Sequence, residues 1–271
     1  MPHAQVDDIR MHYERAGAGD PALVFVHAYP TNCTLWHKQM SALSGKRGTL
    51  AYDVRGFGRS DVPESPSAYS QDRSVADLLG LLNALNIRKP AICGLSMGGN
   101  IALNFALKHP DRVGALIVAD TGAGSDDATV FAKATNAWAD LAERDGIDAF
   151  AGAILANPIF GEYAERGTAE RNYLRGLILA NTVRGVSHTA RYVLAKRPTI
   201  NSLVPRLQKL PVPTLVIVGA KDEPCIAPAE TMAKNIPRAR LAVIAKTGHF
   251  NNLEEPEQFN RLLDDFLTAN A

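Results

Sequence analysis

Cysteine is scarce in this chain, with only Cys33, Cys93 and Cys225 among 271 residues. The three lie far apart and include no Cys-x-x-Cys spacing, so the sequence offers neither a disulfide framework nor a thiolate metal site. No histidine or cysteine cluster has the spacing of a metal site either. We therefore expect a reducing compartment, the cytoplasm, and no bound metal.

The chain also lacks a surplus of charge, since 29 Lys and Arg against 28 Asp and Glu give a formal net charge of +1. Without a strong positive field we expect no nucleic-acid partner. No apolar run is long enough to cross a bilayer, and the charged N-terminal segment lacks the apolar stretch of a signal peptide. We therefore expect no membrane partner.

What the chain does have is a regular alternation of short apolar runs and helical patterns. Helices are predicted after a capping Ser74, from Met97 toward Pro110, and over residues 259–266. The runs predicted to be strands are residues 22–28, 50–54, 91–94, 115–119, 213–219 and 241–245. Continuous apolar runs are typical of strands covered on both faces. The alternation therefore predicts the α/β class, with a mostly parallel, doubly wound sheet.

This alternation stops between about Gly124 and Ser202, where the chain is rich in alanine and shows no clear strand. We interpret residues 124–202 as a helical insertion, called the cap below. Residues 1–123 and 203–271 are then expected to form the core. An insertion at this place would lie over the carboxyl edge of the sheet.

Residues 94–98, Gly-Leu-Ser-Met-Gly, match the G-x-S-x-G pattern between a predicted strand and a predicted helix. A sharp strand-to-helix turn would expose the hydroxyl of Ser96 above the sheet. Small residues on both sides are needed there because a Cβ would clash with the turn. Ser96 is therefore the predicted nucleophile; the alternative is a structural Gly/Ser turn.

A serine hydroxyl needs a base, and the base needs a carboxylate that orients it. His249 is the predicted base because it lies between the last predicted strand and the last predicted helix. Asp222 is the predicted acid because it follows a strand and precedes His249, in the chain order serine, acid, histidine. Glu223 and Asp120 are the rival acids.

The negative charge that develops on the attacked oxygen needs two N–H donors. Met97, directly after the predicted nucleophile, would supply one from the start of its helix. Tyr29, in the loop after the first apolar run, would supply the other. The alternative for this loop is an ordinary strand-exit turn closed by Pro30.

With these motifs, the chain resembles the α/β-hydrolase superfamily over nearly its whole length. Residues 53–60 (DVRGFGRS) resemble its D-x-R-G-x-G-x-S loop, and residues 248–257 resemble the G-H-x…L-E-x-P-E segment of enol-lactonase and esterase-like members. One departure is His27-Ala28, where His-Gly is common. The resemblance implies an α/β-hydrolase fold with a helical cap. Because relatives with an aspartate nucleophile carry out other reactions, Ser96 implies acyl chemistry.

Charge in and beyond the cap is divided: residues 124–170 are rich in acids, whereas residues 171–221 contain bases and no acid. One interpretation is that two solvated helix faces attract each other. The other is that Arg184 or Arg191 faces the pocket and binds a substrate carboxylate. Trp138 would line an apolar pocket or belong to the cap's own core.

The predicted function is that of a serine hydrolase which cleaves a small-molecule carboxylic ester or lactone through an acyl-enzyme. No cofactor is expected, and the sequence predicts no oligomeric state. A C–C bond hydrolase of ring-cleavage products and a perhydrolase are alternatives with the same machinery. A ligand receptor with slow turnover is an alternative from another class.

Overall fold

Eight strands form a single sheet in the computed structural model, which describes residues 2–270. Their order across the sheet is β1-β2-β4-β3-β5-β6-β7-β8. The strands are β1 His3–Val6, β2 Ile9–Ala16, β3 Pro21–Val26, β4 Gly48–Tyr52, β5 Ala91–Leu95, β6 Leu116–Ala119, β7 Thr214–Gly219 and β8 Ala239–Ile244. Every neighbouring pair among β4, β3, β5, β6, β7 and β8 is parallel, and β2 is antiparallel to both of its neighbours, β1 and β4. The predicted α/β class with a mostly parallel sheet is confirmed.

The hairpin of β1 and β2 was not among the predicted strands. It forms the edge of the sheet, and its polar side chains alternate with buried ones instead of forming a continuous apolar run. The strand predicted over residues 50–54 ends at Tyr52. The carboxylate of Asp53, the next residue, accepts hydrogen bonds from the N–H groups of Cys33 (2.7 Å) and Arg59 (2.8 Å).

Helices connect the strands and cover the sheet. The helices are α1 His37–Leu43, α2 Gln71–Ala84, α3 Met97–Lys108, α4 Ala128–Ala156, α5 Pro158–Ala164, α6 Thr168–Leu179, α7 Val183–Tyr192, α8 Ile200–Leu207, α9 Glu223–Asn235, α10 Asn251–Glu254 and α11 Pro256–Ala269. Among the described residues, none of these helices combines the length and apolarity of a bilayer span.

The prediction that Ser74 is the N-cap residue of a helix was wrong, because α2 begins one turn earlier. Ser70 has an extended backbone, and its hydroxyl accepts the N–H of Arg73 at 3.0 Å. This is the geometry of a helix N-cap. Ser74 lies inside the helix, where its hydroxyl donates to the carbonyl of Ser70.

The direction of the crossovers determines where a site can form. The chain moves from β3 through α1 to β4 on one side of β3, then returns to β5 on the other side. Because parallel crossovers are right-handed, steps in opposite directions place their helices on opposite faces. A crevice opens where the direction reverses, at the carboxyl ends of β3 and β5. The first residues after these two strands are therefore the natural site residues.

Helix α3 lies close against the sheet. Its small residues Gly98, Ala102 and Ala106 are one turn apart, and all three are buried. A Cβ on Gly98 would overlap the backbone carbonyls of Val26 and His27 at the end of β3. The glycine thus lets the start of α3 approach the loop that follows β3, which brings the two parts of the crevice together.

Between β6 and β7 the chain is helical, as the pattern of residues 124–202 indicates. Helix α4 packs against α5, α6 and α7. It is interrupted at Gly146, whose φ of +84° favours glycine. Helix α8 begins at Ile200, inside the predicted cap, but packs against α9 beside the sheet.

Candidate active site

Ser96 occupies a strained turn between β5 and α3. Its φ of 56° and ψ of −113° lie outside the regions that ordinary residues favour. A Cβ on Gly94 would overlap the backbone of Gly98, so the turn tolerates only glycine there. Such strain in a serine is typical of a nucleophile elbow, where the hydroxyl is held clear of the sheet.

His249 and Asp222 form a direct, buried hydrogen bond. Asp222 follows β7 at the start of α9, and His249 lies in the loop after β8. The distance from His249 Nδ1 to Asp222 Oδ2 is 2.8 Å, and both side chains are nearly inaccessible to solvent. With Nδ1 engaged by the carboxylate, Nε2 is the ring nitrogen that remains; it is buried and has no partner among the described residues.

Asp222 is held in its charged form. Burial alone would raise the pKa of Asp222, but the adjacent His249 and the hydrogen bonds that its carboxylate accepts outweigh burial and lower this pKa. A carboxylate that stays ionised can fix the imidazole tautomer and stabilise an imidazolium.

Asp120, the rival acid, is a neighbour of Asp222 and has a different role in the hydrogen-bond network. Its Oδ1 accepts the N–H of Gly219 at 2.8 Å. Burial and the charge of Asp222 raise the pKa of Asp120 well above its usual value. Asp120 and Asp222 are close enough to shift each other's pKa, and Asp120 Oδ2 and Asp222 Oδ1 are both buried without a hydrogen-bond partner among the described residues. The raised pKa favours the protonated form of Asp120 beside the charged Asp222.

The other rival acid, Glu223, is the first residue of α9. It makes no contact with His249 among the hydrogen bonds of the described residues, and Asp222 supplies the partner of Nδ1. Of the candidate acids, Asp222 is therefore the one that bonds His249.

The loop that carries His249 is held by a buried glutamate. The Glu254 carboxylate accepts the N–H of Gly248 at 2.9 Å and the N–H of Phe250 at 3.1 Å. Arg166, from the cap, donates to the same carboxylate at 3.0 Å. Sequence reasoning did not assign this role to Glu254, although the L-E-x-P-E segment that contains it was recognised.

The two predicted oxyanion donors lie at the carboxyl ends of β3 and β5. Within residues 2–270, neither the N–H of Tyr29 nor that of Met97 donates to a protein atom. Both residues line one cavity with Ser96 and His249. Two free N–H groups beside a serine can stabilise a negatively charged oxygen.

His27 supports the loop that carries Tyr29. Burial lowers the pKa of His27, so the ring is neutral at neutral pH. Its Nδ1 donates to the Ala28 carbonyl at 2.9 Å, and its Nε2 accepts the N–H of Val54 at 3.0 Å. With both ring nitrogens engaged, His27 acts as a structural hydrogen-bonding residue.

The cavity is small and mostly apolar. Its volume is about 30 Å³, far below the several hundred cubic ångströms of a typical small-molecule site. Trp138 lines the cavity and stacks on Tyr29, with ring centroids 6.2 Å apart. The cavity is lined by Tyr29, Ser96, Met97, Gly122, Ala123, Phe131, Trp138, Ile159, Phe160, Leu194, Arg197 and His249.

Arg184 and Arg191, the predicted carboxylate binders, are not brought to this cavity. Arg191 pairs with Asp140 at 2.5 Å and with Glu143 at 2.6 Å, both on α4. Arg184 lies 3.3 Å from Glu64 at the surface. The ion pairs of Arg191 between α7 and α4 agree with the first interpretation of the charge division, in which two oppositely charged helix faces attract each other.

Arg197 is the arginine that lines the cavity instead. It belongs to the same basic stretch of sequence, but nothing in the sequence separates it from its neighbours. Only the packing of the cap against the core shows which of these arginines lines the same cavity as Ser96.

Two groups of side chains have ligand atoms within 4.8 Å of one another, as a metal site requires. They are His12, Cys33 and Asp53, and Asp222, Cys225 and His249. In each, the histidine bonds the carboxylate directly, at 3.0 Å and 2.8 Å. Asp53 also accepts backbone N–H groups, so the first group is a hydrogen-bond network that holds the 53–60 loop.

An eight-stranded, mostly parallel sheet with a serine elbow after β5 and a histidine after β8 defines the α/β-hydrolase class. The chain belongs to the α/β-hydrolase fold family, whose model matches residues 21–256.

Three proteins illustrate which hydrolases the chain is similar to. It is 29% identical to 3-oxoadipate enol-lactonase 2 of Acinetobacter baylyi, over 95% of this chain and 92% of the relative. It is 30% identical to 2-hydroxymuconate semialdehyde hydrolase of Pseudomonas sp. strain CF600, over 96% of this chain and 90% of the relative. The solved structure of a thermophilic esterase from Thermogutta terrifontis, with malate bound, matches this chain with a TM-score of 0.87 and 29% identity. The match covers 99% of this chain and 98% of the esterase chain. The relatives are thus hydrolases of small molecules.

Proposed function

We propose that this protein is a serine hydrolase that cleaves a small-molecule carboxylic ester or lactone through an acyl-enzyme. Ser96 attacks the carbonyl carbon while His249 Nε2 takes the hydroxyl proton. The N–H groups of Met97 and Tyr29 stabilise the oxyanion. His249 then gives its proton to the leaving oxygen and activates a water that hydrolyses the acyl-enzyme.

One observation carries this proposal. His249 is bonded through Nδ1 to a buried, charged Asp222 at 2.8 Å, its Nε2 is unpartnered among the described residues, and His249 lines the cavity that Ser96 also lines. An imidazole oriented in this way can accept a proton only from the cavity side. The strained backbone of Ser96 and the two free N–H groups support the same reaction.

Asp222 is the proposed acid because it bonds His249 directly. Asp120 acts through Asp222: in its protonated form it can donate to the second, otherwise unpartnered oxygen of Asp222 and keep that carboxylate in place. Positioning of this kind matters because catalytic geometry must hold within a fraction of an ångström.

The relatives support an ester or lactone as the substrate and keep a second candidate open. An enol-lactonase and an esterase resemble the chain over more than nine-tenths of its length. A semialdehyde hydrolase resembles it equally well, which favours a C–C bond hydrolase as the alternative. Both reactions need the same serine, histidine and oxyanion donors, so activity on enol-lactones against ring-cleavage products separates them.

The test is hydrolysis of p-nitrophenyl acetate and butyrate by the wild type and by Ser96→Ala. We expect turnover by the wild type and a loss of about 10³-fold or more in the variant. Ser41→Ala, an exposed serine on α1, is the matched control and keeps wild-type rates. Equal, negligible turnover by all three proteins would contradict the proposal and favour a receptor.

A further inference from the structure

Arg197 places a cation in the wall of the cavity that Ser96 and His249 line. It follows a single turn of 3-10 helix, Leu194–Lys196, and its backbone is extended, with φ −66° and ψ 151°. Pro198 comes next and disfavours a helical conformation for the residue before it. The chain therefore holds Arg197 in a defined position at the end of the cap.

Few protein groups bond the guanidinium of Arg197. Nη2 donates to the carbonyl of Ala123 at 2.8 Å, and the guanidinium carbon lies 4.6 Å from the centre of the Phe131 ring. Nε is buried and has no hydrogen-bond partner in residues 2–270. A guanidinium has five N–H donors in a planar fork, so most of its donors remain available.

Within residues 2–270, no carboxylate oxygen lies within 4.0 Å of a guanidinium nitrogen of Arg197, so no ion pair neutralises its charge. Five other arginines of the cap pair with acids: Arg144 with Asp145, Arg166 with Glu254, Arg175 with Asp148, Arg184 with Glu64, and Arg191 with Asp140 and Glu143. Burial lowers the pKa of Arg197 to about 10, and the group stays charged at neutral pH. A partly buried cation without a counterion is costly, and an anionic group of a ligand in the cavity would supply that counterion.

We propose that Arg197 binds a carboxylate of the substrate, so that the preferred substrates are esters or lactones that carry a second, anionic group. The inference rests on the proposed function, because the ester carbonyl must lie at Ser96 while the carboxylate meets Arg197. An arginine fork matches the two oxygens of a carboxylate, and the apolar surroundings strengthen a charge-assisted hydrogen bond.

A structural role is the alternative. Through Ala123 and Phe131, Arg197 joins the end of the cap to its beginning, next to both crossings between core and cap. Loss of such a connection would disturb the cavity as a whole. It would lower the rates for neutral and anionic substrates to the same extent. Loss of a carboxylate-binding site would lower only the rates for anionic substrates.

The experiment compares p-nitrophenyl valerate with mono-p-nitrophenyl glutarate, two esters of equal chain length that differ in a terminal carboxylate. The readout is the ratio of kcat/KM for the anionic ester to that for the neutral one. In Arg197→Met we expect this ratio to fall about 10- to 100-fold, the usual effect of a charge-assisted hydrogen bond. Arg197→Lys keeps the charge without the fork and should give an intermediate ratio.

Arg175→Met is the matched control, since Arg175 is a half-exposed cap arginine outside the cavity; it should keep the wild-type ratio. A second pair, phenyl acetate against 4-acetoxybenzoate, places the carboxylate on the alcohol side. A fall in the ratio for either pair supports the subsite and shows which side of the ester it serves. Unchanged ratios in Arg197→Met for both pairs would overturn it, even if overall rates drop.

A binding measurement separates this proposal from the proposed function. Calorimetry with monoethyl glutarate and diethyl glutarate on Ser96→Ala needs no turnover. Tighter binding of the anion, lost in the Ser96→Ala, Arg197→Met double variant, supports the subsite even if the wild type hydrolyses no ester. Equal binding of both compounds to both proteins would contradict it even if Ser96-dependent hydrolysis is found.

Discussion

Glu254 holds the backbone on both sides of His249, through N–H groups 2.9 Å and 3.1 Å from its carboxylate oxygens. The carboxylate is fully buried, so these bonds are shielded from water. A charged acceptor of two backbone N–H groups fixes the loop, and with it the direction of the imidazole. Glu254 is therefore a positioning residue that acts through His249.

Glu254→Gln should lower kcat by about 10- to 100-fold, because its amide accepts fewer bonds and leaves the imidazole less well placed. KM should change little, since Glu254 does not line the cavity. Steady-state kinetics with p-nitrophenyl butyrate measure both. Glu257→Gln, an exposed glutamate on α11, is the control and should match the wild type. A wild-type kcat in Glu254→Gln would contradict the positioning role.

Asp222→Asn should reduce kcat by about 10⁴-fold, the loss expected when a catalytic imidazole loses its orienting carboxylate. Asp120→Asn should stay within about tenfold of the wild type, because an amide can still accept from Gly219 and donate to Asp222. Kinetics of the two variants side by side provide the measurement. The reverse order of rates would show that Asp120 is the acid.

The dependence of stability on pH reports the proton on Asp120. The pKa of Asp120 is raised above 3.8 in the folded protein. Its favourable contribution to the free energy of unfolding is therefore complete below pH 3.8 and is lost as the pH rises toward the pKa of the folded state. In that window the wild type loses up to about 1.4 kcal/mol of unfolding free energy per pH unit from this group. Asp120→Asn lacks this loss.

The measurement is urea unfolding of the wild type and Asp120→Asn at several values between about pH 5 and 8. The free energy of unfolding of Asp120→Asn, relative to the wild type, should rise with pH. A difference that stays constant or falls over this range would show that Asp120 is already ionised in the folded protein.

Trp138→Ala should widen the narrow cavity, since the indole occupies its wall against Tyr29. The ratio of kcat/KM for p-nitrophenyl octanoate to that for the acetate should rise about tenfold or more, because room for several methylene groups is gained. Tyr173→Ala, an aromatic residue of the cap outside the cavity, should leave this ratio unchanged. A fall in the ratio would indicate that Trp138 supports the cavity rather than limits it.

The parts of the site that depend on local patterns could be predicted from the sequence. Ser96 follows from a glycine-flanked serine between a strand and a helix, and parallel strands bring their carboxyl ends to one edge. The choice between Asp120 and Asp222 could not be settled in this way, because both follow strands. It needs the direct bond to His249, which depends on how two loops meet.

Other features depend on packing between distant segments. The hairpin of β1 and β2 escapes a search for apolar runs because it is an exposed edge. The basic stretch of sequence indicates an arginine in the site, but the ion pairs of Arg184 and Arg191 with acids elsewhere, and the position of Arg197 over Phe131, follow from the assembled cap. Periodicity and spacing contain no information about such contacts.

The most direct test of the central claim is covalent labelling of the proposed nucleophile. Diethyl p-nitrophenyl phosphate transfers a diethylphosphoryl group to an activated serine and releases p-nitrophenolate. We predict one added group per chain, mapped by mass spectrometry to the peptide that contains Ser96, with loss of esterase activity in proportion. Ser96→Ala should take up none. Inactivation with the label on another residue, or activity that survives full labelling of Ser96, would contradict the account.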